Sequence, residues 1–164
     1  MPVHIDNRHP TLRINQQALA KHLRQSLAKL GHPRATVDVS LVDDREIRGL
    51  NAQYRGVDAP TDVLSFAMHE ETELQTPFDL LGDIVVALDT AQRQAKALQL
   101  QADAPDYSLA HETAFLATHG LLHLLGYDHQ DGADAARMEA LERQLMQPLT
   151  TIDVHSLDRS DHGL

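Results

Sequence analysis

The 164-residue chain carries 24 aspartates and glutamates against 14 lysines and arginines, and this net charge of −10 argues against a nucleic-acid coat protein. It contains no cysteine, which excludes disulfide stabilisation, and no apolar run approaches the about 20 residues of a membrane-spanning helix. The first residues also lack the pattern of a secretory signal. We therefore expect a cytoplasmic protein without membrane contact, with a single domain at residues 1–150 and a polar, disordered tail at 151–164.

The first half of the chain carries alternating strand and helix signals. Residues 35–42 alternate apolar and polar side chains, which indicates a half-buried strand, and leucines recur at helical spacing between residues 15 and 30. Asn15 is the predicted N-cap of this first helix, and Gly31 is its predicted stop. The predicted elements are a short edge strand at 3–5, a helix at 15–30, a strand at 35–42 and a helix from 43 to 54 that ends near Gly56.

The second half predicts two strands followed by three helices. The strands lie at 63–68 and 80–88, the second of them central in the sheet, with an acidic loop or lid at 70–78 between them. The helices comprise one capped by Asp89 or Thr90 that runs to residue 100, a long apolar one at 107–125 and an amphipathic one at 131–146. The order βαβαββααα defines an α+β fold close to α/β, in which a small mixed four-stranded sheet is covered by about five helices.

Three histidines at metal-ligand spacing lie in the long apolar helix, which we expect to be central, and just after it. His119 and His123 are four residues apart, so both imidazoles project from one face of the helix. Gly126 can adopt the left-handed conformation that ends a helix, which would bring His129 toward the same point. Three imidazoles around one ion leave a fourth position open, as in catalytic zinc sites. We predict one Zn²⁺ per chain, although other divalent transition metals suit the same ligands.

The alternative interpretation is a chance pair of surface histidines, since the chain contains 11 histidines in all. The surrounding sequence, at 115–117 and 121–125, is predominantly apolar. Burying imidazoles there without polar partners would cost free energy. The context therefore favours a ligand role over surface decoration.

The spacing H-x-x-x-H-x-x-G-x-x-H resembles that of the metzincin metalloproteases, which carry a glutamate directly after the first histidine as general base. This chain has Gly120 at that position and therefore lacks the base of that mechanism. Every position instead fits H-G-x-L-H-L-x-G-Y-D-H, which resembles the signature of the YbeY family of bacterial endoribonucleases. Upstream blocks at 51–56, 60–66 and 81–84 resemble that family's blocks in the same order.

This resemblance implies a metal-dependent endoribonuclease that cuts single-stranded RNA in rRNA maturation, particularly at the 3′ end of 16S rRNA, and in ribosome quality control. Arg55 matches the arginine of the family's Tyr-Arg-Gly block, which implies a catalytic role for it. Its guanidinium offers a planar fork of donors that suits a substrate phosphate. The simpler interpretation of Arg55, from residue type and place alone, is a solvated arginine at a helix end.

Other polar residues near the motif receive simpler interpretations. Asp128 precedes the third histidine and suits either an imidazole-orienting role or a surface turn. Glu112 lies seven residues before His119 on the same helix face and could support the metal ligands, although a helix-surface carboxylate is the simpler interpretation. His111 and His155 are expected at the surface.

Two other functions are compatible with the sequence. One is a metzincin-like hydrolase of peptide or amide bonds whose base comes from elsewhere in the chain. The other is a non-enzymatic ribosome assembly factor with a structural metal, because an acidic surface suits basic ribosomal proteins of the small subunit as well as RNA. An open ligand position beside Arg55 would favour the nuclease, and a buried, inaccessible ion would favour the assembly factor.

Overall fold

The computed structural model of the chain describes residues 3–68, 80–128, 130–157 and 159. The elements in these ranges are β1 (Val3–Asn7), α1 (Gln16–Lys29), β2 (Thr36–Val42), α2 (Asp44–Arg55), β3 (Val63–Ala67), β4 (Leu80–Ala87), α3 (Leu88–Gln101), α4 (Leu109–Leu124) and α5 (Gly132–Met146). Their order confirms the predicted α+β fold with a mixed four-stranded sheet and five helices. The predicted loop or lid at 70–78 lies outside the described residues. None of the described helices is long and apolar enough to span a lipid bilayer.

The sheet has the strand order β1-β2-β4-β3. Strands β1, β2 and β4 are parallel to one another, whereas β3 pairs with β4 in the antiparallel sense. Parallel neighbours need a crossover connection, which α1 supplies between β1 and β2. The predictions of β1 as an edge strand and β4 as a central strand are therefore correct.

The two faces of the sheet carry different helices. Ile84 of β4 faces α4, because its Cγ2 atom would stand 3.0 Å from a Cβ added at Gly120 of that helix. Its sequence neighbour Val85 points to the other face, where it packs with Ile47 of α2. The sheet therefore lies between α2 and α4.

Helix α4 is the central helix of the fold, as predicted. Twelve of its 16 residues are buried, so it is enclosed on more than one side. It packs on β3 and β4 and contacts α1, α3 and α5. A helix that is apolar all round is stable only when it is surrounded in this way.

The start of α3 differs from the prediction of a cap at Asp89 or Thr90. The helix begins directly after β4, and its N-cap residue Ala87 makes no side-chain hydrogen bond. The Asp89 carboxylate instead accepts hydrogen bonds from the Asp44 backbone N–H at 2.9 Å and from His9 Nε2 at 2.8 Å. It thus joins the start of α2 to the loop after β1, a contact between distant segments that local sequence does not reveal.

The C-terminal segment, residues 151–157 and 159, is packed against the domain. Val154 is 1% exposed and belongs to the main core, and Arg159 is 4% exposed. The expectation of a disordered tail at 151–164 is wrong for these residues. The prediction failed because the segment is mostly polar, although Val154 belongs to the core and Arg159 has buried partners.

A buried histidine joins α1 to α4. His22 Nε2 lies 2.9 Å from Thr118 Oγ1, whose own proton is donated to the Ala114 carbonyl, so the histidine is the donor. Burial, with a smaller contribution from Lys29, lowers the pKa of His22 from 6.5 to about 4. The folded protein therefore holds this imidazole neutral.

We expect this histidine to make the protein acid-sensitive. Between pH 6.5 and pH 4 the unfolded chain binds a proton that the folded chain rejects, so stability is full above this window and falls within it. The loss through this group is about 2 kcal/mol between pH 7 and pH 5. Urea unfolding at both pH values would measure it against His22→Gln, which keeps a donor but does not titrate. Equal pH dependence of the two proteins would contradict the expectation.

Candidate active site

The end of α4 presents the first two predicted ligands and then turns the chain. His119 and His123 both lie in the last turns of the helix. Gly126 has a φ of +97°, and its N–H donates to the His123 carbonyl at 3.0 Å. The Tyr127 N–H donates to the Leu122 carbonyl at 3.0 Å, which completes a Schellman motif. The predicted glycine stop is therefore confirmed.

The two imidazoles approach each other through the same ring atom. His119 Nε2 and His123 Nε2 are 3.1 Å apart, and the two ring planes stand at 81°. His119 is 8% exposed, whereas His123 is half-buried. Two ring nitrogens this close can either share a proton or bind one cation. The pair has the spacing of two ligands of a common ion.

A buried carboxylate that the sequence analysis missed holds His119 from the other side of its ring. Glu142 of α5 is 2% exposed, and its Oε2 atom lies 2.7 Å from His119 Nδ1. Burial alone would raise the pKa of Glu142, but the bond to His119 and the approach of His155 outweigh burial and lower it to about 2. The ionised carboxylate accepts the Nδ1 proton of His119. A neutral imidazole held in this way has its lone pair on Nε2, toward His123.

This is the usual environment of a metal-binding histidine, whose second nitrogen commonly donates to a carboxylate. The predicted third ligand, His129, lies outside the described residues. Among the residues that are described, no group of three or more His, Cys, Asp or Glu side chains is placed to hold a metal ion. Two neutral imidazoles suit Zn²⁺ and related transition metals. His119 and His123 could thus hold a metal ion together with a further ligand.

A second buried carboxylate comes from the start of β3. Asp62 is fully buried and accepts hydrogen bonds from the Val63 backbone N–H at 2.8 Å and from Gln94 Nε2 at 3.1 Å. Burial raises the pKa of Asp62 to about 6, although these hydrogen bonds and nearby His119 oppose the shift. The proximity to His119 was not predictable, because it depends on how β3 packs against α4.

Gly120 explains why the base of a metzincin has no place here. A Cβ at this position would stand 3.0 Å from Ile84 Cγ2, so the position faces β4. A glutamate there would be forced into the packed sheet, where its carboxylate would be buried without a partner. Gly120 therefore allows the close approach of α4 to β4, and it stands at the position where a metzincin carries its glutamate base.

Arg55, the predicted catalytic residue, forms no hydrogen bond or ion pair with the two histidines. It is the last residue of α2 and is exposed. The preceding Tyr54 is 61% exposed and packs on Phe66 of β3, with ring centroids 5.1 Å apart. The end of α2 thus lies over the edge strand of the sheet.

Glu112 is not the surface carboxylate that the sequence predicted. It is fully buried, and its two oxygens accept hydrogen bonds from the Arg159 guanidinium at 2.8 Å each. The Tyr107 hydroxyl donates to the same carboxylate at 2.7 Å. The prediction failed because the partner cation is 47 residues away, in a segment expected to be disordered.

Asp128 is half-buried, and its orienting role stays a prediction.

Known proteins resemble the chain over most of its length. A family model described as Endoribonuclease YbeY matches residues 4–150. The endoribonuclease YbeY of Moorella thermoacetica is 49% identical over 118 residues, which cover 68% of this chain and 71% of that protein. The endoribonuclease YbeY of Syntrophotalea carbinolica is 42% identical over 145 residues, 87% of this chain and 92% of that protein. The solution structure of TM1509 from Thermotoga maritima has a TM-score of 0.61 at 28% identity, covering 88% of this chain and 86% of that chain.

The fold and the converging histidines define an α+β protein with a candidate metal centre at the end of its central helix. The matches in sequence identify the family to which this protein belongs. The chain belongs to the YbeY family of endoribonucleases, as the histidine motif predicted.

Proposed function

We propose that the protein is a zinc-dependent, single-strand-specific endoribonuclease that matures rRNA in the cytoplasm, particularly at the 3′ end of 16S rRNA, and serves in ribosome quality control. The observation that carries the proposal is the 3.1 Å approach of two imidazole nitrogens, one of them oriented by a buried carboxylate. A chain of the endoribonuclease family needs a group that acts on a phosphodiester, and these residues are the best candidates.

His119, His123 and His129 would hold one Zn²⁺, and the same ligands suit other divalent transition metals. A bound ion of this kind can polarise a phosphoryl oxygen or lower the pKa of a bound water. The protein's own contribution is orientation. Glu142 fixes the tautomer of His119, and the burial of α4 fixes the direction of both rings.

We assign contact with the substrate phosphate to Arg55. A neighbouring arginine of α2, Arg48, is neutralised by Asp58 at 2.8 Å. No carboxylate in the described ranges pairs with Arg55, so its guanidinium remains available for a phosphate. The net charge of −10 makes non-specific RNA binding weak, so docking to basic ribosomal proteins of the small subunit would present the RNA to the site.

The test of this proposal is the variant His123→Ala. We expect it to lose metal and RNA cleavage together, because it removes one of two converging nitrogens. Metal content after dialysis and cleavage of a labelled single-stranded rRNA fragment would measure the two losses. His32→Ala, a half-buried histidine beyond the end of α1, is the matched control and should keep both properties. Retention of full cleavage by His123→Ala would refute the proposal.

Arg55→Ala should separate binding of the metal from catalysis. We expect this variant to keep the metal and the fold but to lose most cleavage, about 100-fold, because a charge-stabilising donor to the phosphate is removed. Arg45→Ala, an exposed arginine of the same helix, is the control and should cleave nearly as wild type. If Arg55→Ala also cleaves as wild type, the assignment of the phosphate contact is wrong.

A further inference from the structure

The C-terminal segment lies beyond the part of the chain that matches the family, which ends at residue 150. It is nevertheless anchored in the core. Val154 is 1% exposed, and Ile152 and Leu157 pack against the same apolar cluster. These apolar contacts fix the position of the segment relative to the core.

Arg159 fixes the far end of this segment to α4. Its guanidinium binds both oxygens of Glu112 at 2.8 Å and stacks 4.2 Å above the centroid of the Phe115 ring. It also donates to the Val154 carbonyl at 2.5 Å, which ties the segment to itself. A bidentate pair of this kind specifies geometry as well as contributing energy. The segment is therefore held in one register on the helix that carries the candidate ligands.

Between these two anchors, His155 turns toward Glu142. Its Nε2 atom lies 3.2 Å from Glu142 Oε1. The ring stands edge-on to Phe115, with centroids 5.5 Å apart and planes at 83°. Nε2 is buried and makes no hydrogen bond within the described part of the chain, so the carboxylate is the polar group it faces. The prediction of a surface position for His155 is wrong, because its side chain is only 17% exposed.

The two oxygens of Glu142 thus have different neighbours. Oε2 accepts the bond from His119 Nδ1 at 2.7 Å, and Oε1 faces His155. A carboxylate held at one oxygen alone can rotate about its terminal torsion, which has a broad minimum. A second contact at the other oxygen restricts that rotation. The orientation of the carboxylate in turn sets the orientation of the His119 ring.

We propose that His155 is a positioning residue, which acts through Glu142 to aim His119 Nε2 at the ion held with His123. The C-terminal segment is thus a support of the candidate metal centre rather than a peripheral tail. This inference rests on the metal site of the proposed function. It concerns His155, which lies outside the family match, and predicts a dependence of metal binding on the segment.

Two substitutions separate the polar contact of His155 from its packing. His155→Phe keeps a ring against Phe115 but removes the polar edge. His155→Gln keeps an amide donor near the place of Nε2. His4→Phe, at an exposed position on the edge strand β1, is the matched control. For each protein the affinity for Zn²⁺ would be measured by chelator competition, together with the visible spectrum of the Co²⁺ form, kcat, KM and the melting temperature without metal.

We expect His155→Phe to bind Zn²⁺ about 10-fold more weakly, to alter the Co²⁺ absorption bands and to lower kcat with little change in KM. His155→Gln should recover most of the affinity and the wild-type spectrum, and His4→Phe should differ from wild type in neither. Wild-type affinity and spectrum in His155→Phe would overturn the proposal. Equal losses in both variants, with lowered metal-free melting temperatures, would overturn it in favour of a packing role. A wild-type protein that binds no ion would refute the metal site itself, and this inference with it.

Discussion

Replacing Glu142 with glutamine is expected to weaken metal binding by about 10- to 100-fold. The carboxylate is ionised and buried, and it accepts the Nδ1 proton of His119 at 2.7 Å. A neutral amide can present either its oxygen or its nitrogen to the ring, so it no longer enforces the tautomer that leaves the lone pair on Nε2. Chelator competition with Zn²⁺ would measure the loss of affinity.

Glu139→Gln is the matched control for this experiment, because Glu139 lies on the same helix but is exposed. Within the described residues it forms one ion pair, with Arg143 at 3.9 Å, and exposed pairs of this kind contribute little. The control should bind metal as wild type. If Glu142→Gln binds metal as tightly as the control, Glu142 does not orient His119.

Replacing Glu112 with leucine is expected to lower the free energy of unfolding by about 3 to 5 kcal/mol. The substitution leaves the Arg159 guanidinium, which is 4% exposed, without the carboxylate that binds it through two hydrogen bonds. It also leaves the buried Tyr107 hydroxyl without its acceptor. Denaturant unfolding of the metal-free protein would measure the loss.

The double variant Glu112→Leu with Arg159→Met should recover much of this stability, because it removes both members of the buried pair. Arg143→Ala breaks only exposed pairs, with Asp153 at 3.0 Å and with Glu139 at 3.9 Å, and should cost at most about 1 kcal/mol. A single variant Glu112→Leu as stable as Arg143→Ala would show that the C-terminal segment is not fixed by this pair.

The order of the elements was predictable because it depends on local signals. Asn15 and Asp43 are side-chain caps, and Gly56 and Gly126 take the left-handed conformation at the ends of α2 and α4. Each signal is complete within a few residues of sequence. The spacing of His119 and His123 belongs to the same class, since one helical turn suffices to bring the rings together.

The surroundings of the site were not predictable, because they come from distant parts of the chain. Glu142 is 23 residues beyond His119, and only the packing of α5 on α4 brings them together. Arg159 belongs to a segment whose polar composition suggested disorder. Helix α2 packs on the sheet face opposite α4 because Val85 and Ile84 of β4 point to opposite faces, and the sequence does not show which helix each face receives.

The most direct test of a metal-dependent endoribonuclease is cleavage of a labelled single-stranded fragment from the 3′ end of 16S rRNA. The assay would compare the protein stripped of metal with the same protein after addition of one equivalent of Zn²⁺. We predict no cleavage without metal, internal cleavage after its addition, and none in either state for His123→Ala. Equally rapid cleavage by the stripped and the zinc-loaded protein would contradict the assignment of the histidine pair as the catalytic metal centre.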